Sequence, residues 1–276
     1  MVMSVNTNVG AMIALQNLNA TNAQLATTQN RINTGKSVAN AKDNGAIWAI
    51  AQGQRAEIGA LSAVKQSLDR GVAAVDVALA AGETVSDLLL QMKEKALAAT
   101  DASLLTAARA ALNEDFVALR DQIASVTSNA VFNGVNLLET GATGFQALAN
   151  AQGTSTLTVA AEVMALGSTN VSVAATQTIA TLSDATAALA DVTASIDTVS
   201  GALARLGTKS KALSTHITFV GKLSDALEAG VGNLVDADLA KESAKLQALQ
   251  TKQQLGVQAL GIANQTPQLV LSLFRG

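Results

Sequence analysis

Apolar residues recur every seven positions over most of this chain, and the rows they form predict long helices. From Ser4 to Thr34 the row is Ala11, Leu18, Leu25 and Ile32, with Leu15 beside it and amides and hydroxyls on the other faces. Gly35 is placed as the C-cap, and Lys36 to Asn44 read as a polar connector. From about Gly45 to Ala99, Leu61, Leu68, Val75 and Leu89 fall seven apart, Gly82 completes the row, and Val72 and Leu79 flank it. Glu57, Lys65, Asp69, Arg70, Asp87 and Lys93 give that helix a solvated side. Asp101 is placed to cap a third helix ending near Ser128, with Leu105, Leu112, Leu119 and Val126 as its row.

Phe132-Asn133-Gly134 then breaks the rhythm, and Asn-Gly is a strong turn signal. Residues 140–180 are rich in Gly, Ser and Thr. Their short alternations, Leu157-Thr158-Val159 and Val171-Ser172-Val173, read as small hairpins within a β-rich segment of about 132–180. The longest row follows: Val192, Val199, Leu206, Leu213, Val220, Leu227 and Leu234, with Leu189, Ile196, Leu203 and Ile217 as companions. As a helix it spans on the order of 70 Å. Gly230, Gly232 and Asn233 are expected to interrupt it and Asp236 to cap the terminal helix, where Leu239, Leu246, Leu260 and Phe274 keep the spacing. The fold class is mainly α: a long antiparallel helical bundle or coiled coil with a small β-hairpin region at the tip. The chain goes out along helices and returns, so its first and last helices are partners.

Charge sharpens the reading of those two ends. No charged side chain occurs from Met1 to Asn30 or from Gln253 to Phe274. Leu255, Val257, Ile262, Leu269 and Leu271 lie outside the main stripe of the last helix, so one partner helix cannot cover it. The ends therefore meet each other and then other copies of the chain. The expected self-assembly interface comprises Leu18, Leu25, Ile32, Leu239, Leu246, Leu249, Leu260, Ile262, Val270 and Phe274. Disordered tails would have no reason to keep a seven-residue register.

Composition excludes several classes. Of 276 residues 49% are apolar but only 2% aromatic, with one Trp and no Tyr, a balance that suits helices packed side by side more than a compact enzyme core. The single proline, Pro267, lets helices run long. A net charge of −3 and a pI near 5.2 provide no footprint for nucleic acid. With no cysteine there is no disulfide or thiolate metal site. The N-terminus lacks the basic and continuous apolar regions of a cleaved signal peptide, and no run approaches the twenty apolar residues of a membrane span.

Candidate chemistry is sparse. His216, the only histidine, reads as a bundle-surface residue beside Leu213 and Ile217. Gly35-Lys36-Ser37 mimics the end of a phosphate-binding loop, but Asn30 stands where the first glycine is needed and no apolar strand precedes it. Asp236 and Asp238 lack a base partner and read as helix-start residues. No catalytic residue, metal site or cofactor is expected.

At both ends the residues resemble bacterial flagellin of the short type that lacks large outer domains. Val5-Asn6-Thr7-Asn8, Arg31-Ile32-Asn33-Thr34-Gly35-Lys36, Ala41-Lys42-Asp43-Asn44, Phe132-Asn133-Gly134 with Leu137-Leu138, and Ala263 to Gln268 followed by Val270 to Leu273 carry the resemblance. It implies an inner-tube domain from 1–35 and 239–276, linkers at 36–45 and 232–238, and an outer-tube helical bundle over 46–231. It further implies a homopolymer forming the extracellular flagellar filament for swimming motility. Type III export without a cleaved signal peptide, an export chaperone, a cap and hook-junction proteins come with it. In many members an innate immune receptor reads an Arg and a Glu on the outer-tube helices. Aligned on Glu94 and Phe132, Gln91 and Asp115 stand there instead, which implies weak recognition. A hook–filament junction protein and a secreted, non-polymerising helical adhesin are the alternative readings.

Overall fold

The computed structural model describes the backbone of residues 7–273 and the side chains of residues 7–265. The described chain forms α1 (Val9–Thr34), α2 (Gly45–Ala99), α3 (Thr106–Asn129), β1 (Val131–Phe132), β2 (Val135–Asn136), β3 (Phe145–Leu148), β4 (Thr156–Val159), α4 (Leu182–Val235) and α5 (Leu239–Leu273). This is the helical fold with two small antiparallel hairpins that the spacing predicts. It divides into two compact units, Met1–Ala56 with Ala226–Gly276, and Glu57–Asp225.

In the second unit α2 buries two rows seven apart, one running from Leu61 and the other from Val64, which is the signature of a coiled-coil seam. Its partner α4 buries Val192, Val199, Leu206, Leu213 and Val220, as the spacing predicts. The companion row differs. Leu189, Ile196 and Leu203 are only half-buried, and the fully buried companions are Ala188, Ser195 and Ala202. Small residues let the seam close, while the larger ones cover its edges. Glycine at two seam positions of α2 serves the same end. A Cβ on Gly82 would lie 2.7 Å from Leu203 Cδ2, and one on Gly71 would lie 2.7 Å from Phe145 and 3.5 Å from Leu213.

The third helix packs antiparallel to α2, tied by Lys95–Asp115 at 2.6 Å and by Arg109 Nε donating to the Ala99 carbonyl at 3.0 Å. Two expectations about it are corrected. Asp101 does not cap α3, because its carboxylate accepts from the Ser103 hydroxyl and amide at 2.7 and 2.8 Å, bonds that also hold its pKa below the ordinary value. The helix starts after Leu105, which is exposed and offers no side-chain cap. The buried row is Phe116, Ile123 and Ala130, with Leu112, Leu119 and Val126 half-buried on its flank.

Asn133 (φ 48°) and Gly134 (φ 79°) make the tight turn joining β1 to β2. The β3–β4 hairpin lies along the helices: Phe145 meets α2 at Gly71, and the Leu148 amide donates to Ser67 Oγ at 3.1 Å. His216 Nε2 pairs with the Ala149 carbonyl at 2.8 Å, so the lone histidine fastens this hairpin to α4. Val171-Ser172-Val173 alternates but forms no strand. Both valines are fully buried, while the Ser172 amide donates to Ser195 Oγ at 2.9 Å and its hydroxyl to the Asp191 carbonyl at 2.9 Å. A helix, not a strand, takes the polar groups of Ser172, the preceding loop takes the Val171 amide and Val173 carbonyl, and buried Ser195 is thereby paired too.

In the first unit the connectors pair with each other. Lys36 bridges Asp236, Ser37 donates both amide and hydroxyl to the Val235 carbonyl (2.7 and 3.2 Å), and the Ala237 amide reaches Gly35 O at 2.9 Å. That use leaves nothing of the phosphate-loop mimic. Asp43 closes the following turn on the Ala39 and Asn40 amides, and Asn44 Oδ1 caps α2 through the Ile47 amide at 3.1 Å. The expected break at Gly230, Gly232 and Asn233 does not occur. Glycine costs a helix only about 1 kcal/mol relative to alanine, and buried Val231 and Val235 hold α4 helical to its end. Nor does Asp236 cap α5, since Asp238 Oδ1 accepts from the Lys241 amide at 3.1 Å.

Candidate assembly interface

The α1 helix opens on Asn8, whose Oδ1 accepts the Ala11 amide at 3.0 Å, and closes on Gly35 at φ 68°. The expected start at Ser4 is corrected as far as Thr7 and Asn8, which are not helical; Ser4 to Asn6 lie outside the described residues. Against α1 runs α5, antiparallel. Asn8 Nδ2 donates to the Ala263 carbonyl at 2.7 Å, Leu18 lies against Gly256, Gln253 Nε2 donates to Asn22 Oδ1 at 2.7 Å, and Arg31 Nη1 meets Glu242 Oε1 at 3.1 Å. The seam follows the heptad: Ala11, Ala14, Leu18, Thr21, Leu25 and Thr28 on one side, Glu242, Leu246, Leu249, Gln253, Gly256 and Leu260 on the other, all buried or half-buried.

The interface residues inferred from sequence separate into two sets. Leu18, Leu25, Ile32, Leu246, Leu249 and Leu260 point into this intramolecular seam; Leu249 is 5% exposed and the others are half-buried. Leu239 and Ile262 face outward at 50% and 68% exposure. Leu239 opens α5 at the level where α1 has already ended. The side chain of Val270, with those of Leu269 and Leu271, and all of Phe274 lie outside the described residues.

The outer surface carries apolar residues that the seven-residue rows do not contain. Val9, Met12 and Ile13 on α1 and Leu255 and Val257 on α5 are each more than half exposed. Val9, Met12 and Ile13 were legible as an i, i+3, i+4 set, a face distinct from the Ala11–Leu18 stripe. Gln91 is exposed on α2, and Asp115 is exposed on α3 and ion-paired with Lys95. Among the described residues no group of three or more acidic or histidine side chains could hold a metal, and no helix is long and apolar enough to cross a membrane.

Two family models match this chain: the bacterial flagellin N-terminal helical region over residues 5–143, and the bacterial flagellin C-terminal helical region over residues 189–274. The chain belongs to the flagellin family. It is 58% identical to flagellin FljM of Caulobacter vibrioides over 272 residues, covering 99% of this chain and 98% of that one. Flagellin FljK of the same organism is 57% identical with the same coverage, and a flagellin of Brucella melitensis is 37% identical over 99% of both chains.

Flagellins are structural proteins, and this flagellin is a subunit that self-assembles into the extracellular filament of the bacterial flagellum. The two matched regions hold α1, α2, α3, α5, the β1–β2 hairpin and α4 from residue 189 onward. Residues between the matches carry β3, β4 and the Val171–Val173 segment. The part matched by the family models is thus mainly helical.

Proposed function

We propose that α1 and α5 form the inner layer of the filament wall, that residues 46–231 form the outer layer, and that 36–45 with 232–238 join them. The observation that carries this reading is the outer surface of the α1–α5 pair. Val9, Met12, Ile13, Leu255 and Val257 are exposed there on stretches devoid of charge. At about 25 cal/mol per Å² of apolar surface removed from water, such a face contributes strongly once neighbouring subunits cover it. In this reading Leu239 and Ile262 are contacts between subunits, whereas Leu18, Leu25, Ile32, Leu246, Leu249 and Leu260 shape the pair that presents them. Val270 and Phe274, in the charge-free stretch that ends at Phe274, are assigned to the contacts between subunits from the sequence alone.

Type III export without a cleaved signal, an export chaperone that holds the C-terminal helix, a cap beneath which subunits add, and hook-junction proteins at the base complete the proposal. A chaperone covering α5 before export is consistent with the apolar residues it leaves exposed. Hydrogen exchange tests the layer assignment. Amides of α1 and α5 exchange freely in the soluble chain and become protected in salt-grown filaments, while α2 and α4 change little. Equal protection of α1 and α5 in both states would sink it.

A further inference from the structure

We propose that the Arg31–Glu242 ion pair is the register lock of the α1–α5 seam: it selects one antiparallel pairing among several that the apolar residues alone would accept. The proposal rests on the assembly reading above and adds a specificity-determining pair to it.

The seam is repetitive. Leu18 and Leu25 recur at seven on α1, as do Thr21 and Thr28; Leu249, Gly256 and Ala263 recur at seven on α5. In the observed register Leu18 lies against Gly256, which places Leu25 opposite Leu249 and Thr28 opposite Leu246. A slip of one heptad one way sets Leu18 against Ala263 and Leu25 against Gly256. A slip the other way sets Leu18 against Leu249 and Thr21 against Leu246. Each alternative still buries small and aliphatic side chains, so hydrophobic contact discriminates weakly among them.

Charge discriminates strongly. Arg31 is the one charged residue of α1, and its only ion-pair partner among the described residues is Glu242. The Glu242 side chain is 11% exposed and that of Arg31 32%. In one slipped register Arg31 sits at the level of Leu249; in the other Glu242 sits at the level of Leu25. Either way a largely buried charge loses its counterion, the arrangement proteins tolerate least. In the observed register the pair stands nearly alone. Thr28 Oγ1, Arg31 Nε and Glu242 Oε2 are buried without a hydrogen-bond partner, so the pair is held with few accessory bonds and depends on its own contact. A lone polar pair in an apolar heptad seam is the feature known to fix register at a cost in stability. The hydrogen bonds of Gln253 to Asn22 and of Asn8 to Ala263 agree with the same register, but they involve neutral groups near solvent.

The absence of cysteine makes a cross-linking test clean. Gln253→Cys is combined in the full chain with Asn22→Cys, which reports the observed register, or with Gln29→Cys or Leu15→Cys, which report a slip of one heptad either way. Disulfide yield is read on filaments, in the parent and with Arg31→Glu, Glu242→Arg, or both. In the parent the Asn22→Cys pair dominates. Either single reversal lowers its yield by a factor on the order of 100, the scale on which removing one partner of a largely buried pair acts, and raises the flanking yields or stops polymerisation. The double reversal restores both polymerisation and the parent cross-link. Single reversals that leave the cross-link unchanged, or a double reversal that does not rescue, overturn the lock. A parent chain that forms no filaments would instead overturn the assembly reading, so the two failures are distinct.

Discussion

Truncating Leu249 to alanine separates two ways in which the α1–α5 pair could contribute to the filament. Leu249 is the most buried apolar residue of the seam, at 5% exposure, and the register places it opposite Leu25. Leu→Ala at buried sites costs about 2–5 kcal/mol. A two-helix seam has open flanks that relax, so the lower end applies, about 2 kcal/mol. If the seam becomes ordered only as a subunit joins its neighbours, that loss falls on the assembly step. Since 1.4 kcal/mol is a factor of ten, the critical concentration for salt-induced polymerisation rises about thirtyfold. If the seam is already formed in the soluble chain, the penalty is common to both states. It then cancels in assembly and appears instead as lower thermal stability of the first unit. Sedimentation of filaments across a concentration series, with melting of the soluble chain by circular dichroism in parallel, measures both. An unchanged critical concentration in Leu249→Ala, with a lowered melting transition, refutes the coupling of order to assembly.

Leu246→Asp or Leu260→Asp buries a carboxylate in the seam without a cation, and each abolishes polymerisation while the helicity of the second unit stays intact; electron microscopy and circular dichroism decide it, and normal filaments would contradict the buried stripe. Limited proteolysis of the soluble chain trims both ends to a core near residues 45–232, read by mass spectrometry, and α1 resisting protease would speak against the coupling of order to assembly. Gly144→Ala destabilises the second unit by about 1–3 kcal/mol, because the glycine sits at φ 85° and a Cβ would run into the Val159 carbonyl oxygen; a melting temperature equal to the parent's would show the turn to be free to relax. If Gln91 and Asp115 occupy the two positions that the resemblance assigns to receptor contact, the soluble chain is a weak agonist in a receptor-reporter assay, and a full-strength response would refute that assignment.

Much of the helical fold was legible in the chain because a heptad row needs no knowledge of its partner. Once Leu61, Leu68 and Val75 recur at seven, a helix of that phase buries them against any neighbour, and the observed α2 spans the predicted Gly45–Ala99. The Asn133-Gly134 turn was equally local, since its residues suit the left-handed region by themselves. Failures arose where another group competed. Asp101 has the chemistry of a cap, but Ser103 two residues on takes its carboxylate. Val171 and Val173 alternate as a strand would, but Asp191 and Ser195 of α4 satisfy the backbone and side chain between them. In α3 the predicted row lies one flank away from the buried Phe116 and Ile123.

The same division holds for the assembly surface. The chain alone determined that both ends lack charge and carry more apolar surface than one partner helix covers, which is a matter of counting residues. Which of those residues face the seam and which face outward was decided by the helical phase at which α1 and α5 meet, and that phase is a property of two helices at once. Leu249 and Leu255 are chemically alike and six residues apart, yet one is buried and the other 59% exposed. No feature of either residue separates them. The helical phase set by Leu18 against Gly256, and by Arg31 against Glu242, does so.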